Sequence, residues 1–215
     1  MNVPVQVKIC GITNPADAHA AIDAGADALG FNLFPGSRRY VPLAELKQWL
    51  PSLTGALRVA VMVDPTIEEI RAAQPWFDVI QLHGHETPAL CADAASEGPI
   101  WKAFPLTAAL VDASLASYKA KAILIDTPVP GSFGGTGILI DLDRAAAFVR
   151  SQPNLKIWLS GGLSPDNVFA AVHKVRPYGV DVASGVELRG PDPRRKDPAR
   201  IRAFIAAAKQ APIPA

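Results

Sequence analysis

Lys156-Ile157-Trp158-Leu159-Ser160-Gly161-Gly162-Leu163-Ser164-Pro165 holds in ten residues the unit from which the whole chain is built. A short apolar run reads as a strand over 156–160. Two glycines turn the chain, and Ser164-Pro165 then offers an N-cap residue followed by proline at the first helical position. The helix that follows is expected over 165–174. The pattern recurs seven more times. Strand-like runs occupy 5–10, 28–33, 58–63, 79–82, 100–104, 122–126 and 179–183, and alanine-rich helical stretches occupy 15–24, 43–50, 67–73, 88–96, 108–118, 142–150 and 198–208. Asn14-Pro15 and Asp197-Pro198 repeat the capping signal. Strands alternating with helices of this length predict βαβ units and a parallel sheet. Eight units with no linker and no change of composition predict an α/β fold of the (β/α)₈ type, a TIM barrel, with residues 1–215 as a single domain. A doubly wound open sheet is the alternative, since six strands would suffice for it. Residues 191–196 read as a surface loop and 211–215 as a frayed end.

At 215 residues the chain supports one sizeable core and is short for a full barrel. A net charge of +1 gives no reason to expect nucleic acid or an anionic membrane as partner, so any anion must be held by a local site. Cys10 and Cys91, the two cysteines, fit neither a disulfide framework nor zinc-ligand spacing. Met1-Asn2-Val3-Pro4 lacks a signal-peptide pattern, and no apolar run approaches the roughly 20 residues of a membrane helix. A cytoplasmic protein is the expectation, as monomer or homodimer.

In barrels of this type the chemistry sits at the C-terminal ends of the strands. That rule selects Cys10, Asn32, Asp64, His83, Phe104, Asp126, Ser160 to Gly162, and Ser184 to Gly185. Period-2 alternation places Lys8 and Cys10 on the interior face of the first strand and Val7 and Ile9 toward the helices. A lysine inside a barrel needs a partner, and Asp181 is available for that or for substrate. Such a cation is expected to lower the Cys10 pKa from about 8.5. Asp126 closes the run Ala122-Ile123-Leu124-Ile125-Asp126, either as a turn former or as a general acid whose pKa burial must raise. Gly161, Gly162, Ser184 and Gly185 follow the last two strands, where backbone N–H groups cradle phosphate in such folds. The glycine-rich stretch 131–137 reads as a connector or a mobile cover. His83-Gly84-His85 resembles a metal string, but His19 and His173 fall on expected helices, and Gln81 and His83 on one strand face suit substrate contacts better. Arg38 and Arg39 could grip a carboxylate bidentately. Arg194-Arg195-Lys196 reads as a solvated charge run.

Six segments together resemble the phosphoribosylanthranilate isomerase family: Lys8-Ile9-Cys10-Gly11-Ile12-Thr13, Ser37-Arg38-Arg39-Tyr40-Val41, Gln81-Leu82-His83-Gly84, Gly134-Gly135-Thr136-Gly137, Leu159-Ser160-Gly161-Gly162-Leu163 and Asp181-Val182-Ala183-Ser184-Gly185-Val186-Glu187. The resemblance implies an Amadori rearrangement of an aminoaldose phosphate to an aminoketose phosphate, with no cofactor and no metal. It implies Asp126 as general acid and Cys10 as general base. Arg39 would hold the anthranilate carboxylate, with Asp181, Gln81 and His83 near the substrate. Gly161, Gly162, Ser184 and Gly185 would line the phosphate pocket.

The chain departs from the family where Arg38 replaces a proline, so that two arginines compete for one role. Ile140-Asp141-Leu142 replaces Phe-Asp-Trp, and the charged, proline-rich stretch from Arg189 to Arg195 has no assigned role. The rivals are another barrel phosphosugar isomerase or epimerase, particularly the aminoaldose isomerase of histidine biosynthesis, and an inactive barrel kept as a binding subunit. The histidine-pathway rival predicts aspartate in place of Cys10 and a second phosphate cradle. The inactive barrel predicts loss of Cys10 or Asp126.

Overall fold

Eight parallel strands pair in chain order and close on themselves: β1 (Gln6–Cys10), β2 (Ala28–Asn32), β3 (Leu57–Met62), β4 (Val79–Leu82), β5 (Ile100–Pro105), β6 (Ala122–Asp126), β7 (Ile157–Leu159) and β8 (Gly179–Val182). The computed structural model describes residues 4–111, 114–128, 138–190, 192 and 194–210. Between and after the strands lie α1 (Pro15–Asp23), α2 (Leu43–Leu46), α3 (Ile67–Ala73), α4 (Pro88–Glu97), α5 (Ala108–Val111), α6 (Leu142–Ser151), α7 (Val168–Val175) and α8 (Pro198–Gln210). The barrel forms, not the open sheet.

Capping chemistry places most helix starts where expected. Asn14 accepts from Asp17 N at 2.9 Å, and Asp197 accepts from Ala199 N at 2.8 Å. Three helices differ from expectation. α2 stops after one turn and resumes as a 3₁₀ turn at Leu50–Ser52, because Pro51 has no N–H for an α-helical bond. α5 and a 3₁₀ turn at Leu115–Tyr118 replace the single helix expected over 108–118. There the Ser117 hydroxyl donates to Ser114 O at 2.7 Å, beside the backbone bond from Ser117 N to the same carbonyl. α7 begins at Val168, not at Pro165, and in the turn before it Asn167 accepts from Ser164 N and donates to Gly162 O.

Alternation sorts the strand residues into two cores. Outward residues such as Val7, Ile9 and Leu29 pack under the helices. Inward, Ala28, Val59, Val79, Trp101, Ala103, Ala122, Leu124 and Trp158 fill the barrel. The Trp101 and Trp158 rings meet at 4.8 Å, and Gly179 lies beside Trp158 in the register, where a Cβ would sit 2.6 Å from its ring. This plug closes one end. One layer higher, toward the C-terminal ends, polar side chains take over.

Candidate active site

Above the plug, Lys8 stands opposite Asp181 in the β1–β8 register, and its Nζ donates to Asp181 Oδ1 at 2.8 Å. Lys8 is fully buried. Burial alone would drive its pKa down, but Asp181 and Cys10 together hold it above the ordinary value. The partner the sequence demanded is therefore Asp181. Cys10 is the next inward residue. It has room because Gly30 is its neighbour in β2: a Cβ there would lie 2.7 Å from the sulfur.

Over this layer opens a cavity of about 520 Å³ at the C-terminal ends of the strands, within the size range of small-molecule sites. Cys10, Asn32, Gln81, His83, Asp126, Ser160 and Asp181 line its floor, and Phe34, Arg38 and Arg39 form a wall from the β2 loop. The thiol of the first strand and the carboxyl of the sixth thus share one chamber. Among the described residues, two buried polar atoms at this chamber's lining have no partner: Gln81 Oε1 and Arg39 Nη2.

The electrostatics separate the two ionisable groups in a way the sequence did not predict. Burial raises the Asp126 carboxyl to about 6, and the Thr127 N–H bond at 2.7 Å only partly opposes it. A carboxyl raised this far keeps a protonated fraction near neutrality, which is what a proton donor requires. Lys8, however, does not pull the Cys10 thiol down as expected. Burial raises it most, Lys8 opposes, Asp181 raises it again, and the net result is above the ordinary 9.0. His83 Nε2 lies 3.8 Å from Asp126 Oδ2. Burial and the charges of Lys102 and Lys8 push the imidazole down to about 3, so it is neutral and forms no ion pair. As a neutral group it adds no positive charge to favour the Asp126 carboxylate.

A second cleft of about 440 Å³ adjoins the first and shares Arg38 with it; Gly162, Ser184, Gly185, Glu187 and Arg200 line it. Gly161 and Gly162 turn the chain with φ of +96° and +62°, a conformation open to glycine. Gly161 lines neither cleft, and it lets the β7 loop pack against Thr127 and Asp126. Ser184 opens a 3₁₀ turn, Ser184–Val186.

Other expectations fall away. Asp64 accepts from His85 N, and Phe104 packs against Tyr118 at 4.9 Å, so neither reaches the cavity. His85 is exposed beside Asp64 while His83 points into the chamber, so the two do not converge. Among the described residues no group of three or more His, Cys, Asp or Glu side chains could hold a metal. Arg194 and Arg195 are exposed, as a solvated charge run would be, but Lys196 is not. Arg195 clamps the buried Asp17, and Lys196 is fully buried on Glu187 and Ala183 O. The cause is a hairpin in which Glu187 bridges Lys196. Ile140 is buried and Asp141 caps α6. Stretch 131–137, with its Gly134-Gly135-Thr136-Gly137 motif, lies outside the described residues.

Sequence reasoning missed Glu187. It accepts from Arg39 Nε at 2.6 Å, Arg38 Nη2 at 2.6 Å and Lys196 Nζ at 3.2 Å. Its only signal was its place at the end of the Ser184-Gly185-Val186 loop. The two competing arginines converge on this carboxylate.

Comparison with known proteins gives the family of the chain. The sequence profile of the family described as PRAI, N-(5'phosphoribosyl)anthranilate (PRA) isomerase, matches residues 7–207. An N-(5'-phosphoribosyl)anthranilate isomerase of Citrifermentans bemidjiense is 44% identical over 208 residues, covering 95% of this chain and 97% of that one. The crystal structure of phosphoribosyl anthranilate isomerase from Thermotoga maritima superposes with a TM-score of 0.85 at 35% identity, covering 95% and 98% of the two chains. A phosphoribosyl anthranilate isomerase solved in complex with reduced 1-(o-carboxyphenylamino)-1-deoxyribulose 5-phosphate gives a TM-score of 0.81 at 34% identity, covering 95% and 98%. The chain belongs to the N-(5'-phosphoribosyl)anthranilate isomerase family.

Proposed function

We propose that Cys10 and Asp126 are the base and acid of the isomerisation, acting across the shared cavity. The protein is an isomerase of tryptophan biosynthesis that rearranges N-(5'-phosphoribosyl)anthranilate, a small phosphorylated substrate. In the proposed steps Asp126 gives its proton to the furanose ring oxygen, the ring C–O bond breaks, and the anilino nitrogen's lone pair forms an iminium. Cys10 then removes the proton from the adjacent sugar carbon, and those electrons neutralise the iminium as an enolamine, which tautomerises to the ketone. The iminium acidifies that carbon, so a thiolate is basic enough. Both groups are side chains, and the scheme calls on no metal and no cofactor. Lys8, held on Asp181, supports the thiolate from below.

Gly162, Ser184 and Gly185 take the phosphate in the second cleft, and Gly161 shapes the turn that presents Gly162 to it. Arg39, with its unpartnered Nη2, takes the anthranilate carboxylate, and Gln81, His83 and Asp181 line the sugar's path. The whole chain, 1–215, works as one catalytic domain, as monomer or homodimer, in the cytoplasm. Among the described residues no helix is long and apolar enough to cross a membrane. The observation that carries the reading is the raised Asp126 carboxyl facing the same chamber as Cys10. Its test is loss of the fluorescence of substrate generated in situ. Cys10→Ala and Asp126→Asn should each lower kcat by about 10²- to 10⁴-fold with folding intact. Near-normal turnover in either variant removes that residue from its role.

A further inference from the structure

We infer that Glu187 is a positioning residue that aims Arg39 at the substrate's carboxylate and ties that contact to the loop holding the phosphate. The inference rests on the reading of Arg39 as the carboxylate's partner.

Glu187 is 6% exposed and none of the proposed chemistry uses it. Its Oε1 accepts Arg39 Nε at 2.6 Å and Lys196 Nζ at 3.2 Å, and its Oε2 accepts Arg38 Nη2 at 2.6 Å. Three cations around one carboxylate exceed what its charge needs, so this wall stays net positive and attracts an anion. The cations differ in freedom. Lys196 is fully buried and also donates to Ala183 O at 3.0 Å, which fixes the carboxylate from behind. The Arg38 side chain is 49% exposed and lines both clefts. Arg39 is 8% exposed, its stem packed on Gly11.

A guanidinium is planar, so an acceptor fixed on Nε sets the direction of the two terminal nitrogens. Glu187 holds Nε, and Nη2 is the atom left without a partner among the described residues. A buried donor left unpaired is costly and is retained where a ligand will satisfy it. Glu187 also follows Ser184 and Gly185 closely in the chain, and its N–H donates to Ser184 O at 3.1 Å. One short segment therefore carries both the phosphate-binding turn and the group that aims Arg39. The spacing between the substrate's two anionic ends is measured by a single rigid piece of backbone.

The test uses two ligands of the full chain: the reduced aminoketose phosphate bearing the carboxyphenyl group, and its phenyl counterpart lacking the carboxylate. Glu187→Gln should weaken the first about tenfold or more, the scale of one charge-assisted hydrogen bond, and the second by about twofold at most. Substrate KM should rise more than kcat falls. Arg39→Ala should show the same selectivity, and the double variant should lose no more than Arg39→Ala alone. Equal weakening of both ligands by Glu187→Gln, no weakening of either, or additive losses in the double variant overturn the inference. If Arg39→Ala discriminates and Glu187→Gln does not, only this inference falls. If Arg39→Ala fails to discriminate, the reading of Arg39 falls and takes the inference with it. Should Glu187→Gln not fold, Glu187→Asp, which keeps the charge but withdraws it by one methylene, must show a smaller loss with the same selectivity.

Discussion

Lys8 and Asp181 meet at 2.8 Å inside the barrel; Lys102 and Glu86 meet at 2.9 Å outside it, by the ends of β4 and β5. Both pairs are buried and both join a lysine to a carboxylate, but their surroundings differ. Lys102 also donates to Gly84 O at 2.9 Å and Ala103 O at 2.8 Å, while Glu86 accepts Gly84 N and Asp64 N. Every direction is taken by backbone, and the pair fastens the loops after β3 and β4. Lys8 instead faces one carboxylate and the Cys10 sulfur, and Asp181 opens on the cavity. A saturated buried pair holds structure. An unsaturated one beside a cavity has capacity left for chemistry.

The sharpest way to break this contrast is to remove each lysine in turn. An opposite charge within a few ångströms shifts a pKa by about one to three units, so Lys8→Met should cut the Cys10 thiolate population, and turnover with it, by about 10- to 1,000-fold. Lys102→Met should act on stability, by about 3–5 kcal/mol, since it leaves a buried carboxylate and carbonyls unpaired. The folded fraction of that variant should turn over at nearly the wild-type rate. Steady-state kinetics and urea unfolding on both variants check the pair of expectations. Equal effects on turnover would erase the distinction.

The two regions were also unequally legible in the sequence. Lys8 announced itself, because alternation put a cation on the interior face of a strand whose neighbours Val7 and Ile9 faced outward. Asp181 lay at the matching height on the last strand, and barrel closure did the rest. The direction of the thiol's shift was not legible, because it depends on burial outweighing a neighbouring charge, and burial is a property of the assembled chamber. Lys102 and Glu86 gave no signal: an outward lysine on a barrel strand looks solvated until the loop after β4 wraps it. Glu187 and Lys196 stayed hidden for the same reason. Their pairing depends on a hairpin of the stretch that composition marked as surface.

The pH dependence of kcat/KM sharpens the contrast further. Asp126 titrates near 6 and Cys10 above 9.0 in the free protein, so between those values the pair holds one proton. The competent form, thiolate with carboxylic acid, contains that same single proton. Its population is therefore constant with pH, and the profile should rise through about 6 and stay flat to 9.0 or beyond. Residual turnover of Asp126→Asn should lack the plateau and climb about tenfold per pH unit, since only the thiol still titrates. A flat profile in that variant would detach Cys10 from the base role.

The smallest effect concerns stability and has the opposite sign to that of Lys102→Met. The Asp126 carboxyl is raised from 3.8 to about 6 by burial, so the folded state binds its proton more tightly than the unfolded chain does. The stabilisation is present below 3.8 and is lost as pH rises through about 6, where a charge is left in a site that disfavours it. At about 1.36 kcal/mol per unit the shift corresponds to roughly 3 kcal/mol. Asparagine mimics the protonated form at every pH and still accepts the Thr127 N–H. Asp126→Asn should therefore match the wild type near pH 4 and exceed it by up to roughly 3 kcal/mol at pH 8 in urea unfolding, while losing its activity. A variant less stable than wild type at pH 8 would mean that the acid at the barrel mouth supports the fold, as Glu86 does, and that burial there does not oppose its charge.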